Sequence, residues 1–322
     1  MNKPFISLVS RTRRTPFSNK VDAAGVKSYT VYNHMLLATS FRSIEEDYKH
    51  LKTAVQVWDV SCERQVELIG EDAELLLQMT TPRDLRKMKN DQCYYIPMVD
   101  ENGMMLNDPI ATKLSSNRFW ISISDTDMLY YFKGLATGKK LNVDIFEPDV
   151  SPIAIQGPKS NELITNFIGE EYVQTKFFRH KNFVFDGKEM VIARSGWSHQ
   201  GGFEIYLDGS SYGENMWDAL FNAGKNLDVR AGCPNGIERI EAGLLSFGND
   251  ITIDFDVFES GLGKYCDLDT VDGCLATETL KIKSNPSRML KPLVIDGDPI
   301  KLFNYWWDLL DKNGKFVGSV TS

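Results

Sequence analysis

The chain has 322 residues and a mass of 36.5 kDa, which predicts more than one domain and enough buried volume for a ligand cavity. Charged residues make up 25% and hydrophobic residues 42%, as in a globular protein rather than a disordered or membrane protein. The net charge of −8 argues against a nucleic-acid surface, because phosphate contacts need clustered Lys and Arg.

Cysteine and histidine usage excludes further classes of protein. The 5 cysteines are odd in number and show no Cys-x-x-Cys spacing, and the 4 histidines are scattered, so we expect neither a disulfide framework nor a metal site. No window approaches the roughly 18 uninterrupted apolar residues of a membrane span. A reducing cytoplasm is the expected location. The basic run Arg11 to Arg14 is interpreted as a solvated or anion-pairing arm.

The first half of the chain mixes helices and strands without a regular alternation. Ser43 is expected to cap a helix over 44–55, in which apolar residues recur at helical spacing. A strand is predicted at 65–69 and a helix at 72–79. Strands follow at 94–98, 110–114 and 120–123, a helix at 125–133, and strands at 143–146 and 153–155. This order favours an α+β fold with antiparallel sheets over a doubly wound parallel sheet.

The second half contains the most informative segment, a glycine-rich turn over 194–202 between predicted strands at 190–193 and 203–207. Glu204 lies directly after this turn, between Phe203 and Ile205. A carboxylate that is partly removed from water needs a protein cation or a ligand with adjacent N–H donors. The alternative is a strand residue that alternates outward into solvent.

The remaining elements approach the C-terminus. Helices are predicted at 158–168, at 211–223 and after Pro234, the last with a stripe of Ile237, Ile240, Leu244 and Leu245. A strand is predicted at 292–295 and a hairpin at 306–322 about Asn313-Gly314. We place a domain boundary after residue 275, and residues 276–322 are expected to form an incomplete C-terminal β-barrel domain.

Nine short segments, taken in order, resemble the aminomethyltransferase superfamily of tetrahydrofolate enzymes, typified by the glycine-cleavage T-protein. The likeness covers roughly residues 32–322. The segments are 58–61, 92–95, 103–108, 155–158, 194–197, 202–205, 239–243, 247–251 and 318–322. The resemblance implies three lobes around a central cavity for tetrahydrofolate, with residues 1–275 forming two interleaved α+β lobes that bind the folate.

The resemblance also implies roles for individual residues. Glu204 matches the glutamate that holds the pterin, and a carboxylate can accept two parallel hydrogen bonds from the pterin edge. Asp108 matches the catalytic aspartate, although an Asx-type turn before Pro109 is the alternative. The other implied folate-binding residues are Tyr95, Ser122, Tyr206 and Arg239. Arg239 could instead be a helix residue paired with Glu238 or Glu241.

Departures from the T-protein pattern put glycine cleavage in doubt. Residues 197–201 read Trp-Ser-His-Gln-Gly, which differs from the usual T-protein sequence. Asn107-Asp108 lies where the T-protein usually has two aspartates. Within the superfamily, Trp197 and the segments 11–16 and 29–35 look most like the dimethylsulfoniopropionate demethylases. This likeness implies a methyl transfer from a sulfonium to tetrahydrofolate as co-substrate.

A sulfonium is a permanent cation without hydrogen-bond donors, so its site should offer aromatic faces. Trp197, Tyr206 and Tyr32 are the candidates, with hydrophobic filling as the alternative for Trp197. The carboxylate of such a substrate needs donors from His199, the backbone of the 198–202 turn or an N-terminal arginine. We expect a small sulfonium and folate as partners, neither nucleic acid nor membrane, and leave a homodimer open. The rival functions are a T-protein or methylamine-type transferase and a non-catalytic folate-binding scaffold.

Overall fold

The structure is a computed structural model that describes residues 8–297 and 306–322. It confirms the α+β class. The α-helices in the described residues are α1 Ser18–Ala23, α2 Ile44–Leu51, α3 Ala73–Met79, α4 Met128–Lys139, α5 Ser160–Ile168, α6 Glu170–Val173, α7 Gly213–Ala223, α8 Gly236–Glu241 and α9 Thr277–Lys283. The Ser43 side chain accepts a hydrogen bond from the Glu46 N–H and caps α2, as predicted.

The strands of the described residues divide into two large sheets and three hairpins. They are β1 Ser28–Tyr32, β2 Met35–Ser40, β3 Val55–Asp59, β4 Gln65–Ile69, β5 Cys93–Tyr95, β6 Met98–Val99, β7 Met105–Asn107, β8 Ile110–Ser115, β9 Arg118–Ser122, β10 Asp144–Phe146, β11 Val150–Gln156, β12 His180–Phe185, β13 Lys188–Ala193, β14 Gly202–Asp208, β15 Val229–Gly232, β16 Trp307–Leu310 and β17 Phe316–Val320.

The first lobe is built on a six-stranded sheet in the order β12-β13-β14-β11-β3-β15. Its neighbours are antiparallel except for β3 and β15, which are parallel. One face carries Phe203, Ile205 and Leu207 and packs against Leu163 of α5 and Leu220 of α7. The opposite face is therefore the one that carries Glu204 and Tyr206.

The second lobe is built on a five-stranded antiparallel sheet in the order β10-β4-β9-β8-β5. Val66, Leu68 and Phe119 on one face pack against Leu76 of α3 and Phe132 of α4. The other face meets the six-stranded sheet. We call this contact region the inter-sheet cleft, and its buried apolar lining is Cys93, Trp120, Val150, Val191, Ala193 and Tyr206.

The third lobe has its own apolar core. Val99 and Met105 of the β6–β7 hairpin pack with Phe247, Val257 and Leu280, and the Met105 N–H donates to the Phe255 carbonyl. Ala276 and Leu280, which follow residue 275, belong to the same core as residues that precede it. The domain boundary after residue 275 stays a prediction.

Several local predictions differ from the structure. The helix predicted at 44–55 ends at Leu51, and Val55 begins β3. The strand predicted at 94–98 divides into β5 and β6 about Ile96-Pro97, because proline has no N–H for a strand ladder. Residues 292–295 do not form a strand. The apolar stripe of α8 is wrong, because Ile237 and Ile240 are exposed while Glu238 and Arg239 are buried. The C-terminal hairpin is confirmed, with Gly314 at φ 79° in its turn.

Candidate active site

Glu204 lies on the cleft face of β14 and is 8% exposed. Its partners across the strands are Ala154 on β11 and Ala193 on β13, whose small side chains leave the carboxylate uncrowded. Because the second lobe covers this face, the side chain does not alternate into open solvent. The outward alternative for Glu204 is therefore wrong.

The Glu204 carboxylate has one hydrogen-bond donor among the described residues. The Ser195 hydroxyl donates to Oε2, while no described donor reaches Oε1 and no described cation pairs with the group. Burial raises the pKa of Glu204 above its ordinary value. A carboxylate in this state retains acceptor capacity for a ligand with N–H donors.

The turn that supplies Ser195 depends on glycines at two close approaches. A Cβ on Gly196 would lie 2.1 Å from the Gln156 side chain, and one on Gly202 would lie 2.4 Å from it. Ser198 donates to Gln156 Oε1 at 2.6 Å. The turn is thus packed onto a buried amide, which fixes the position of Ser195 beside Glu204.

Asp108 follows β7 and accepts two hydroxyl hydrogen bonds. Ser124 donates to Oδ1 at 2.6 Å, and Tyr95 donates to Oδ2 at 3.1 Å. These bonds come from other segments, so Asp108 is not an Asx-type cap of its own turn. Burial raises the pKa of Asp108 to about 6. Asn107 holds the segment by donating to the Ser124 carbonyl and the Thr126 hydroxyl.

Tyr95, Ser122 and Tyr206 lie on the strands that border the cleft. The Tyr95 ring contacts Tyr265 edge-on at 5.1 Å, and its hydroxyl reaches Asp108. The Ser122 hydroxyl donates to Gln65 Oε1 at 3.0 Å. Tyr206 is buried against Trp120, with ring centroids 5.8 Å apart. The structure therefore brings the Tyr95–Asp108 pair and the Tyr206–Glu204 face to the same region between the lobes.

Tyr32 reaches this region from the β1–β2 hairpin. Asn33 anchors that hairpin by donating to the carbonyls of Cys62 and Ile123 at 3.0 and 2.9 Å. Burial raises the pKa of Tyr32, and a hydrogen bond with Ser124 opposes that rise. Ser124 thus connects Tyr32 with Asp108.

Trp197, His199 and Arg239 form a second group at the glycine-rich turn. The Arg239 guanidinium carbon lies 5.9 Å from the centre of the Trp197 ring. Arg239 pairs with Asp250 at 2.8 Å rather than with Glu238 or Glu241, so that alternative is wrong. His199 is exposed at φ 55°, outside the buried part of the turn.

Sequence reasoning missed Glu63, Ser124, Ser195 and Phe178. Burial, together with the carboxylates of Glu204 and Asp108, raises the pKa of Glu63 to about 8, and no described cation pairs with it. Phe178 packs into the cleft lining with a left-handed backbone, φ 56°. No spacing pattern marks these residues, because their neighbours are brought together only by the packing of the two sheets.

A separate surface hollow of 380 Å³ is lined by residues that include Arg13, Arg14, Arg64 and Glu147. None of the predicted site residues lines it. Arg13 and Arg64 both pair with Glu147, and Arg14 pairs with Asp22. Arg13 and Arg14 thus pair with carboxylates, which agrees with the interpretation of the basic run as a solvated or anion-pairing arm.

Within residues 8–297 and 306–322, no group of three or more His, Cys, Asp or Glu side chains is arranged to hold a metal ion. Over the same residues, no helix is both long and apolar enough to cross a membrane. All 5 cysteines lie in the described residues, and all are free thiols.

Comparison with known proteins identifies relatives of this chain and a similar solved structure. The chain is 51% identical over 314 residues to dimethylsulfoniopropionate demethylase DmdA of Ruegeria pomeroyi, covering 97% of this chain and 85% of that protein. It is 26% identical over 324 residues to an aminomethyltransferase of Desulfitobacterium hafniense, covering 98% and 86%. The crystal structure of the glycine cleavage system aminomethyltransferase T from Bartonella henselae superposes with a TM-score of 0.83 at 21% identity, covering 97% of this chain and 85% of that one.

The structural match confirms the T-protein-like architecture. The GCVT N-terminal domain family matches residues 17–270. From this match and the 51% identity, the chain belongs to the GCVT aminomethyltransferase family.

Proposed function

We propose that this protein is a tetrahydrofolate-dependent demethylase that transfers a methyl group from dimethylsulfoniopropionate to tetrahydrofolate. The products are methylmercaptopropionate and 5-methyltetrahydrofolate. The observation that carries the proposal is the 51% identity over 97% of the chain with a dimethylsulfoniopropionate demethylase, against 26% with an aminomethyltransferase. Departures from the T-protein pattern at 197–201 agree with it.

The residues of the cleft fit a folate. Glu204 retains an acceptor oxygen without a described donor, which suits the paired N–H groups of a pterin edge. Tyr95, Ser122 and Tyr206 lie on β5, β9 and β14, which border the cleft, and Arg239 lies at the glycine-rich turn. We assign these five residues to folate binding. Bound folate supplies a nucleophilic nitrogen that accepts the methyl group.

The transfer needs little acid–base chemistry, because a sulfonium leaves as a neutral thioether. Alignment of donor and acceptor and exclusion of water are therefore the main contributions, worth about 7–11 kcal/mol in favourable cases. In this proposal Asp108, which accepts hydrogen bonds from Ser124 and Tyr95, stabilises positive charge that develops on the acceptor nitrogen. We assign it the catalytic role.

The donor side is assigned to Tyr32, Trp197, Tyr206 and His199. Aromatic faces attract a sulfonium, and each contact is worth roughly 0.5–2 kcal/mol. Arg13 and Arg14 already pair with Glu147 and Asp22, so we assign the substrate carboxylate to His199 and the backbone N–H groups of the turn, with Arg11 as the remaining arginine of the arm. The free thiols support a cytoplasmic location.

The test is an incubation with tetrahydrofolate and either dimethylsulfoniopropionate or an aminomethyl donor, followed by identification of the folate product. Substrate-dependent 5-methyltetrahydrofolate is expected. Methylene-tetrahydrofolate from the aminomethyl donor would identify a T-protein activity, and folate binding without either product would identify a scaffold. In the same assay, Asp108→Asn should lower kcat by about a hundred- to a thousandfold while folate binding persists.

A further inference from the structure

Trp197 already has a protein cation on its ring. The Arg239 guanidinium carbon lies 5.9 Å from the ring centre, and Arg239 is buried in α8. No other ring stacks on Trp197 among the described residues. A cationic ligand that contacts this indole therefore approaches a ring next to a fixed positive charge.

Asp250 neutralises that charge. Its Oδ2 accepts from Arg239 Nη1 at 2.8 Å and from the Ser246 N–H at 3.0 Å. Its Oδ1 accepts from the hydroxyls of Thr321 and Ser322. Both oxygens are thus used, and the ion pair is buried, so the carboxylate is held against the guanidinium by contacts from two segments.

The consequence follows from Coulomb's law. An unpaired guanidinium on one side of an indole repels a second cation near the same ring, and low-dielectric surroundings strengthen the repulsion. A guanidinium that is paired with a carboxylate contributes little net charge to the ring's surroundings. The negative face of the indole then remains available to a second cation.

We propose that Asp250 determines the specificity of the donor site for onium compounds: by neutralising Arg239, it allows Trp197 to bind a sulfonium or quaternary ammonium methyl group. This inference rests on the proposed function, in which Trp197 contacts the donor. Asp250 is a positioning and charge-compensating residue, and it does not touch the donor itself.

The test compares a cationic ligand with its neutral isostere. In 4-methylpentanoate, a C–H group replaces the sulfonium sulfur of dimethylsulfoniopropionate, and the rest of the molecule is retained. Calorimetry gives the dissociation constants of both ligands for wild type and Asp250→Asn. We expect Asp250→Asn to weaken dimethylsulfoniopropionate binding about two- to thirtyfold and to leave 4-methylpentanoate within about twofold.

Two further variants separate charge from structure. The double variant Arg239→Gln/Asp250→Asn removes both charges and should recover the affinity for the cation. Glu259→Gln breaks another ion pair of the third lobe, Glu259–Arg288 at 2.7 Å, and should leave the ratio of the two dissociation constants unchanged. Equal weakening of both ligands in Asp250→Asn, no weakening of either, or no recovery in the double variant would each overturn the inference.

The inference and the proposed function fail in different ways. If wild type forms 5-methyltetrahydrofolate but Asp250→Asn does not discriminate between the two ligands, the inference is wrong and the function stands. If wild type does not bind dimethylsulfoniopropionate, the same calorimetric comparison is made with choline and its neutral isostere 3,3-dimethylbutan-1-ol. Selective loss of choline binding in Asp250→Asn would then support the inference without the function, and absence of onium binding in wild type would overturn both.

Discussion

Two buried strand glutamates, Glu67 on β4 and Glu204 on β14, have opposite surroundings. Glu67 is 3% exposed, and its two oxygens accept from Arg118 Nε at 2.6 Å and Trp120 Nε1 at 3.0 Å. Glu204 is 8% exposed, and a single serine hydroxyl serves one of its oxygens. Burial alone therefore does not distinguish a structural acid from a ligand-binding acid.

The difference lies in which lone pairs the protein fills. In a buried charge that is paired and hydrogen-bonded on both oxygens, these contacts offset the cost of desolvation, and removing the partner is costly. A buried carboxylate with an unused oxygen is destabilised until a ligand supplies donors. Glu67 therefore ties β4 to β9, and Glu204 retains its capacity for binding.

The strongest test of this contrast is the matched pair Glu204→Gln and Glu67→Gln. Loss of a charge-assisted hydrogen bond costs about 1.5–3 kcal/mol, so Glu204→Gln should raise the dissociation constant of tetrahydrofolate about ten- to a hundredfold. Its unfolding free energy without ligand should stay the same or rise. Folate titration and urea denaturation measure the two quantities.

Glu67→Gln should behave in the opposite way. It removes the charge that Arg118 pairs with, and the free energy of unfolding should fall by about 1–3 kcal/mol while folate affinity changes little. An equal loss of apo stability in both variants would assign Glu204 a structural role and remove the contrast.

A second test uses pH, because two further acids of the cleft share with Glu204 a pKa that burial raises. Burial raises the pKa of Glu63 to about 8 and that of Asp108 to about 6. Between the ordinary pKa of an acid and its raised folded value, the folded state binds more protons than the unfolded state. The stability contribution is therefore lost as pH rises from about 4.5 to about 8 for Glu63 and from about 3.8 to about 6 for Asp108.

Glu63→Gln isolates this effect. Relative to wild type, the variant should gain stability of order 2 kcal/mol between about pH 5 and pH 9. His50 and His180, whose pKa values burial lowers, are present in both proteins and cancel in the difference. A difference that is independent of pH would mean that Glu63 keeps its ordinary pKa and has solvent or a partner.

The sequence predicted the elements around these acids better than their partners. The strands that hold Glu67 and Glu204, the cap at Ser43 and the turn at Asn313-Gly314 follow from local patterns. The direction of Glu204 did not follow, because it depends on the second lobe covering that face of the sheet. Glu63 gave no signal, since its neighbours Glu204 and Asp108 are distant in sequence.

Helix α8 shows how a local rule fails at a candidate site. Its isoleucines at helical spacing predict an apolar buried face, yet the isoleucine face is exposed and the face that carries Glu238 and Arg239 is buried. Asp250 pairs with Arg239 and compensates for its burial, while Gln200 donates to one oxygen of Glu238 and leaves Oε2 without a partner among the described residues. These partners lie 11 to 38 residues away, outside the reach of a helical pattern.

The smallest expected effect concerns Cys93, a cleft residue whose sulfur already accepts a hydrogen bond. Cys93 is 1% exposed and accepts a weak hydrogen bond from the Thr112 hydroxyl at 3.5 Å, and burial raises its pKa to about 12. The thiolate is the nucleophilic form, so Cys93 is not suited to carry a covalent methyl group. Cys93→Ala should therefore keep the single-turnover rate of methyl transfer within about twofold of wild type.

Cys62→Ala is the matched control, because Cys62 is also buried and burial raises its pKa as well. Similar small changes in both variants would reflect packing, since each removes one buried sulfur. A large rate loss confined to Cys93→Ala, with a methylated Cys93 detected by mass spectrometry during turnover, would contradict direct transfer. It would also show that a buried group with its hydrogen bonding satisfied can react, and would limit the Glu67–Glu204 contrast to carboxylates.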